Sequence, residues 1–325
     1  MEEEWTIYYN IVQPYPRLRH EDDLDVRLMR EFLSPGSFRW DVRESYSNIA
    51  KKLSVDEETV RKRLKRAQLA GVLEGFHLIP NPHLFRLESN VVELDVGSEA
   101  KKPEIVSQIA LLEGVVLIVD FHGSRLRVAV YCESDGALAR KVQLIGSISA
   151  SKEETHWMEG FPPCDFKMSK TDWLILRSLR REAKKRLIDV AEEVRISTRT
   201  VKRRFERMIE SNAFYLMPIT SYEKSAVVLC SYTVDCPNAQ LKKGADSAIK
   251  SLLHRVIFSN VSARRYSVFS VLCNNFGEAE ESRKEISKVK GVESVKMGVV
   301  RKVHYLPEWL DEQIERKADQ FRAVS

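Results

Sequence analysis

At 325 residues the chain is long for one compact domain and suits two to four small ones, while a hydrophobic share of 43% supplies ordinary cores and excludes global disorder. Its 52 Lys and Arg against 47 Asp and Glu leave a formal charge of only +5, so any nucleic-acid argument must come from where the charges sit. The longest apolar runs, such as Val115–Val119 and Ala226–Cys230, are strand-sized and exclude a bilayer span. The acidic Met1-Glu2-Glu3-Glu4 start lacks signal-peptide order, and five cysteines without paired metal spacing fit a reducing cytoplasm.

In chain order, Leu24, Leu28 and Phe32 recur at helical spacing and predict a first helix, closed by a loop at 34–41 that contains Ser34-Pro35-Gly36-Ser37. A short helix follows over Tyr46–Leu53, then a turn and a basic helix from about Glu57 to Ala70, with Gly71 as its stop. Val72–Ile79 reads as a strand leading into Pro80-Asn81-Pro82. The pattern then changes. Val91–Val96, Pro103–Leu112, Val115–Phe121, Leu126–Cys132, Asp135–Ile145 and Glu154–Met158 read as β-α-β-β-α-β, the ferredoxin-like split unit.

From Met168 the cycle restarts. Trp173, Leu176 and Leu179 mark a first helix, Leu187–Val194 a second and Thr198–Ile209 a basic third, with Ala213–Pro218 in the place of the strand after it. Val227–Val234, Ala239–Leu253, Val256–Val261, Tyr266–Cys273, Glu278–Val289 and Val292–Val303 repeat β-α-β-β-α-β. Pro307 opens a further helix, Glu308–Phe321, without counterpart in the first half. The stretch from Ile49 to Leu64 aligns without gaps with that from Val190 to Phe205, Thr59-Val60 matching Thr200-Val201, so the reading is a duplicated unit. The fold class is therefore α+β, with two winged helix-turn-helix domains (1–84 and 167–222) alternating with two ferredoxin-like domains (85–166 and 223–325, the latter carrying the extra helix).

The two basic helices carry the chemistry. Val60, Leu64 and Ala67 in the first, and Val201, Phe205 and Met208 in the second, recur at i, i+4, i+7 and bury one face. Arg61, Lys62, Arg63, Lys65 and Arg66 are then pushed to the other surface of the first helix, and Lys202, Arg203, Arg204 and Arg207 to that of the second. Asp56 and Ser197 are suited to cap these helices, with Thr59 and Thr200 three positions on. A short helix, a tight turn and a second helix with a basic outer face form a DNA-reading unit whose guanidinium groups can hold phosphates and guanine edges. A solvated basic face is the competing reading for one such helix; the same cap, the same Thr-Val and the same basic register in two copies argue against it. The expected contacts to double-stranded DNA are Ser197, Thr198, Arg199, Thr200, Lys202, Arg203, Arg204 and Arg207, with Thr59, Arg61, Lys62, Arg63, Lys65 and Arg66 secondary. They are secondary because Asp56, Glu57 and Glu58 set three carboxylates where phosphates would lie.

The pattern Ile49-Ala50-x-x-Leu53-x-Val55-Asp56-x-x-Thr59-Val60-x-x-Arg63-Leu64, with Gly71-Val72-Leu73 after it and a β-α-β-β-α-β unit beyond, resembles the Lrp/AsnC (feast/famine) transcriptional regulators. Leu24-Asp25-x-x-Leu28 and Thr171-Asp172-x-x-Ile175 look like the family's opening helix, and the resemblance covers nearly the whole chain, twice. It implies a sequence-specific DNA-binding transcriptional regulator without catalysis, cofactor or metal, cytoplasmic and nucleoid-associated. It also implies assembly as a homodimer or higher, with the two ferredoxin-like domains able to pair within one chain. Family members often carry a Gly-x-x-Asp turn near the effector site; here the turns read His122-Gly123-Ser124-Arg125 and Ala263-Arg264-Arg265-Tyr266, without Asp. His122, Arg125, Arg264 and Arg265 are thus the candidate contacts for an anionic small-molecule effector, plain hairpin surface being the competing reading.

Two alternatives stand beside the regulator. An architectural chromatin protein would use the same phosphate contacts. A sirohaem-decarboxylase-like enzyme on the same fold would use His and Arg of the ferredoxin-like half, but His122, His156, His254 and His304 are scattered and the basic helices are not degenerate. Walker A, dinucleotide-glycine, HExxH and CxxC patterns are absent. Trp40, Trp157, Trp173, Trp309 and Tyr8-Tyr9 are not interleaved with the basic runs, which favours core or interface packing over base stacking.

Overall fold

The computed structural model describes residues 23–32, 44–151, 154–221, 227–253, 255–261 and 263–319. Tyr8, Tyr9, Trp40, the 34–41 loop, His254 and Phe321 lie outside them. In the first half, helices α1 (Asp23–Phe32), α2 (Tyr46–Leu53) and α3 (Glu57–Leu69) precede strand β1 (Leu73–Pro80). Then come β2 (Glu88–Asp95), α4 (Lys102–Ala110), β3 (Val115–Phe121), β4 (Arg125–Cys132), α5 (Asp135–Ser149) and β5 (Glu154–Glu159). The second half repeats the order: α6 (Lys170–Leu179), α7 (Leu187–Val194), α8 (Thr198–Glu210) and β6 (Phe214–Thr220), then β7 (Val228–Asp235), α9 (Ala239–Leu252), β8 (Val256–Asn260), β9 (Tyr266–Cys273), α10 (Phe276–Ser287) and β10 (Ser294–Tyr305). Helix α11 (Glu308–Asp319) closes the chain. The expected elements are all present, with ends shifted by a residue or a few.

What the strands do next is not written in their own patterns. β1 and β6, expected as the wing strands of separate heads, pair with each other in an antiparallel two-stranded ribbon, Leu78 opposite Leu216. The hydrophobic core follows that pairing. One cluster contains Leu28, Phe32, Ile49 and Leu64 from the first head together with Trp173, Leu176, Val201 and Phe205 from the second. The two heads thus form a single packed body.

The ferredoxin-like units fuse in the same way. Each has the strand order 4-1-3-2, and they join edge to edge through β3 and β10 into one eight-stranded sheet, β5-β2-β4-β3-β10-β7-β9-β8. Strand β10 makes the junction: Ser294–Val299 pair with β7 and Val300–Tyr305 with β3, the register of the second pairing shifting between Val300 and Lys302. Gly298 lies before that shift, opposite Ser231 of β7, and a Cβ there would lie 2.5 Å from the Phe121 ring. The two sheets are also locked by Arg127, whose Nε donates to Glu93 Oε1 (2.7 Å) while Nη1 and Nη2 donate to Ser231 Oγ (2.9 Å) and Thr233 Oγ1 (2.8 Å) of β7. The Arg127 and Arg125 cations hold the buried Glu93 carboxyl below its ordinary value against the cost of burial. Intrachain pairing of the two units is therefore a feature of this chain.

The helices cover one face of the sheet. Val92, Ile109, Ile118 and Val128 form the core of the first unit, and Tyr232, Ile249, Phe269 and Ile286 that of the second. Helix α11 docks rather than projecting: Leu310, Ile314 and Ala318 are buried, and Arg177 and Arg181 of the second head pair with Glu315 (2.9 Å) and Asp311 (2.5 Å). Trp157, Trp173 and Trp309 pack on Tyr266, Phe85 and Tyr131. Among the described residues no helix is long and apolar enough to cross a membrane, and no group of His, Cys, Asp and Glu could hold a metal ion.

Candidate nucleic-acid interface

Each head is built by the same local chemistry. Helix α2 ends at Ser54 and α7 at Arg195, both in the left-handed conformation (φ 58° and 57°), which turns the chain sharply into the next helix. Asp56 caps α3 by accepting from Thr59 N (2.7 Å), and the Thr59 hydroxyl donates to its other oxygen (2.7 Å). Those two bonds hold the Asp56 carboxyl below its ordinary value. Ser197 caps α8 by accepting from Thr200 N (3.2 Å). Val60 and Leu64 bury α3, while Val201, Phe205 and Met208 bury α8, so both basic helices have the predicted face inward. Phe205 stacks on Phe214 at the start of β6, tying α8 to the ribbon.

The outer faces differ. In the first head Arg61 pairs with Glu57 (2.5 Å) and Lys62 with Glu58 (3.6 Å), so the acidic first turn spends its charge on the basic residues one turn on. Arg63 and Arg66 both reach Asp25 of α1, at 3.1 and 2.7 Å. Lys65 stays exposed. In the second head Thr198, Arg199, Lys202, Arg203 and Arg207 are exposed. Arg199 and Arg203 form no ion pair with any described residue, the Lys202–Glu206 pair is long at 3.9 Å, and Arg207 lies over the Phe166 ring.

Arg204 is not part of that surface. Its Nη1 donates to Ser169 Oγ (2.9 Å) and Asp172 Oδ1 (3.1 Å), while Asp172 completes a capping box with Ser169 at the start of α6. Arg63 holds the same position in the first head. The signal was in the sequence: Arg204 is three residues after Val201 and four before Met208, which puts it at the edge of the buried face.

The four residues expected to meet an effector are not brought together. Arg125 donates to Met297 O (2.9 Å) and Glu93 Oε2 (3.0 Å), and Arg265 makes a fork on Asp235 (2.6 and 2.7 Å) that pushes its own pKa up. Both guanidinium groups are structural ties, and His122 and Arg264 are exposed on separate turns. Sequence reasoning missed a different group of residues, Tyr131, Glu159 and Tyr305 on the sheet and Tyr215 on the ribbon above it; nothing in the strand patterns signals that the two elements face each other.

Residues 168–212, from just before α6 to just after α8, match a family model described as winged helix-turn-helix DNA-binding. The chain is similar to an uncharacterized HTH-type transcriptional regulator of Pyrococcus horikoshii, 30% identical over 97 residues that make up 29% of this chain and 61% of that one. It is similar also to the HTH-type transcriptional regulator Ptr1 of Methanocaldococcus jannaschii, 24% identical over 131 residues, 40% of this chain and 80% of the relative. The chain thus spans about three-fifths of the length of the first of these relatives. In fold it is similar to the crystal structure of the siroheme decarboxylase NirDL, with a TM-score of 0.54 at 12% identity, over 92% of this chain and 99% of that one.

Proposed function

We propose that this chain, whose residues 168–212 match a winged helix-turn-helix DNA-binding model and which is similar to HTH-type transcriptional regulators, binds double-stranded DNA as a sequence-specific transcriptional regulator of Lrp/AsnC type, gripping chiefly through α8. The observation that carries this reading is the state of α8: its core face is buried against the head while Arg199 and Arg203 project with no ion pair to any described residue. Guanidinium groups so placed are free to meet phosphates or guanine edges. Thr198, Thr200 and the Ser197 cap stand at the helix N-terminus, where backbone N–H groups and the helix dipole favour a phosphate. Helix α3 serves as the weaker hand, its Arg61 and Lys62 partly neutralised in place. Because β1 and β6 are one ribbon, the two hands are held at a fixed spacing within a single chain, which supports recognition of paired half-sites.

The experiment is genome-wide occupancy mapping followed by fluorescence anisotropy on the recovered fragments. Discrete sites that compete out random DNA support the regulator, and uniform coverage supports an architectural protein instead. Absence of binding at low salt would end both. A decarboxylase reading rests on likeness of fold alone, and of its described candidate histidines His122 and His156 are exposed, on a turn and on β5, while His304 is half-buried on β10.

A further inference from the structure

The eight-stranded sheet curls so far that its two ends meet: the Glu159 carboxyl on β5 accepts a hydrogen bond from the Asn260 side chain on β8, and Trp157 of β5 packs on Tyr266 of β9 with ring centres 4.9 Å apart. The face without helices is turned in on itself and lines a partly open cavity of about 210 Å³ to which all eight strands contribute. Strand alternation decides which residues line it. On β4, Leu126, Val128 and Val130 face the helices, so Arg127, Ala129 and Tyr131 face the cavity. The ceiling is the β1–β6 ribbon, through Ile79, Tyr215 and Met217, with Leu310 of α11 beside it.

The wall is mostly aliphatic, with a few polar groups at defined places. Arg127 is committed on every arm to Glu93, Ser231 and Thr233, and so offers no charge to an anion. Glu159 is held by Ser89 Oγ (3.3 Å), and burial pushes its carboxyl above the ordinary value. The Tyr131 hydroxyl is buried with no hydrogen-bond partner among the described residues, and burial pushes up the pKa of both Tyr131 and Tyr215. Such a site rewards apolar area and a single hydrogen-bonding group, and penalises a full charge. An apolar cavity of about 150 Å³ holds benzene, so this one takes a ring or two.

We propose that this cavity binds a neutral, largely apolar molecule of one or two rings bearing one hydroxyl or amide, and that its occupant adjusts the heads through the ribbon that roofs it. The second clause rests on the DNA-binding reading above; the site itself does not.

The test uses the full chain and 2-naphthol, followed by its fluorescence with no DNA present, with 2-naphthoate as a charged twin. 2-Naphthol is expected to saturate one site per chain, and 2-naphthoate to bind at least about tenfold more weakly. Ala129→Leu and Ser270→Leu, which fill the cavity, should each weaken 2-naphthol at least about tenfold with unchanged near-UV circular dichroism. Tyr215→Phe, which removes only a hydroxyl, should weaken it about threefold or more should the filled variants fail to fold. No saturable binding, equal binding of the two probes, or unchanged binding in a folded variant overturns the site. 2-Naphthol should also shift DNA affinity about threefold or more in the parent and not in Ala129→Leu; an unshifted parent overturns the coupling. DNA binding of the unliganded chain is measured separately, so its loss with intact 2-naphthol binding removes the regulator and leaves the site.

Discussion

Asp172 at the start of α6 and Arg204 in the middle of α8 form a 3.1 Å ion pair, in which the carboxylate is 2% exposed and also closes the capping box with Ser169. Asp25 makes the corresponding contacts to Arg63 and Arg66 in the first head. In both heads a carboxylate of the opening helix thus fixes the rotation of the basic helix about its axis, and so decides which cations face outward.

Arg204→Ala should therefore act on stability. Removing one partner leaves a buried carboxylate uncompensated, a cost of about 1–3 kcal/mol after discount for the partly exposed guanidinium. Thermal denaturation should show a lower Tm for Arg204→Ala and an unchanged one for Arg203→Ala. The reverse order would contradict the assignment of Arg204 to the framework.

Arg199→Ala combined with Arg203→Ala should weaken DNA binding without lowering Tm. Two lost phosphate contacts reduce the slope of log affinity against log salt by about 2. Anisotropy titrations at several salt concentrations read both quantities, and a slope equal to the parent's would place α8 away from the phosphates.

Glu57→Gln with Glu58→Gln should strengthen DNA binding a few-fold, since it releases Arg61 and Lys62 and removes two carboxylates facing the polyanion. The same titration checks it. Unchanged affinity would mean that α3 does not approach DNA.

Gly298→Val should loosen the junction of the two ferredoxin-like units, because the new side chain meets the ring of Phe121, which ends the β3 edge paired with β10. Overpacking of this kind costs about 1–3 kcal/mol. Denaturant unfolding should show the loss, and Phe121→Ala in the same chain should recover part of it.

His77 on β1 gives a pH dependence with a definite sign. Burial, with Arg180 and Arg181 close by, lowers its pKa to about 4, so the folded chain holds the ring neutral where the unfolded chain would protonate it. The unfolded state binds the extra proton between its ordinary value, near 6.5, and 4; stability is full above that window and is lost as pH falls through it. His77→Gln should flatten the Tm profile in this range relative to the parent. An unchanged profile would assign the pH dependence to other groups.

Much of the fold was legible because local physics is written locally. The Asp56 and Ser197 caps, the buried i, i+4, i+7 rows of α3 and α8, and the period-two strands that fill both cores follow from adjacent residues. The candidate interface was legible to the resolution of a helix face and no finer. Arg203 and Arg204 are neighbours in sequence, and only a partner from α6 separates their roles. Arg125 and Arg265 read equally well as surface or as anion contacts until Glu93 and Asp235 were found beside them.

The sequence by itself determined the element order, its repetition, and the two basic helices, since side-chain periodicity specifies which face of each element is buried. The tertiary structure decided which edges meet: β1 with β6, and β3 with β10. Strand edges pair through backbone N–H and C=O groups that every residue carries alike, so no side-chain pattern names the partner. From those two pairings follow one body for both heads, one curled sheet, and the cavity that lies between them.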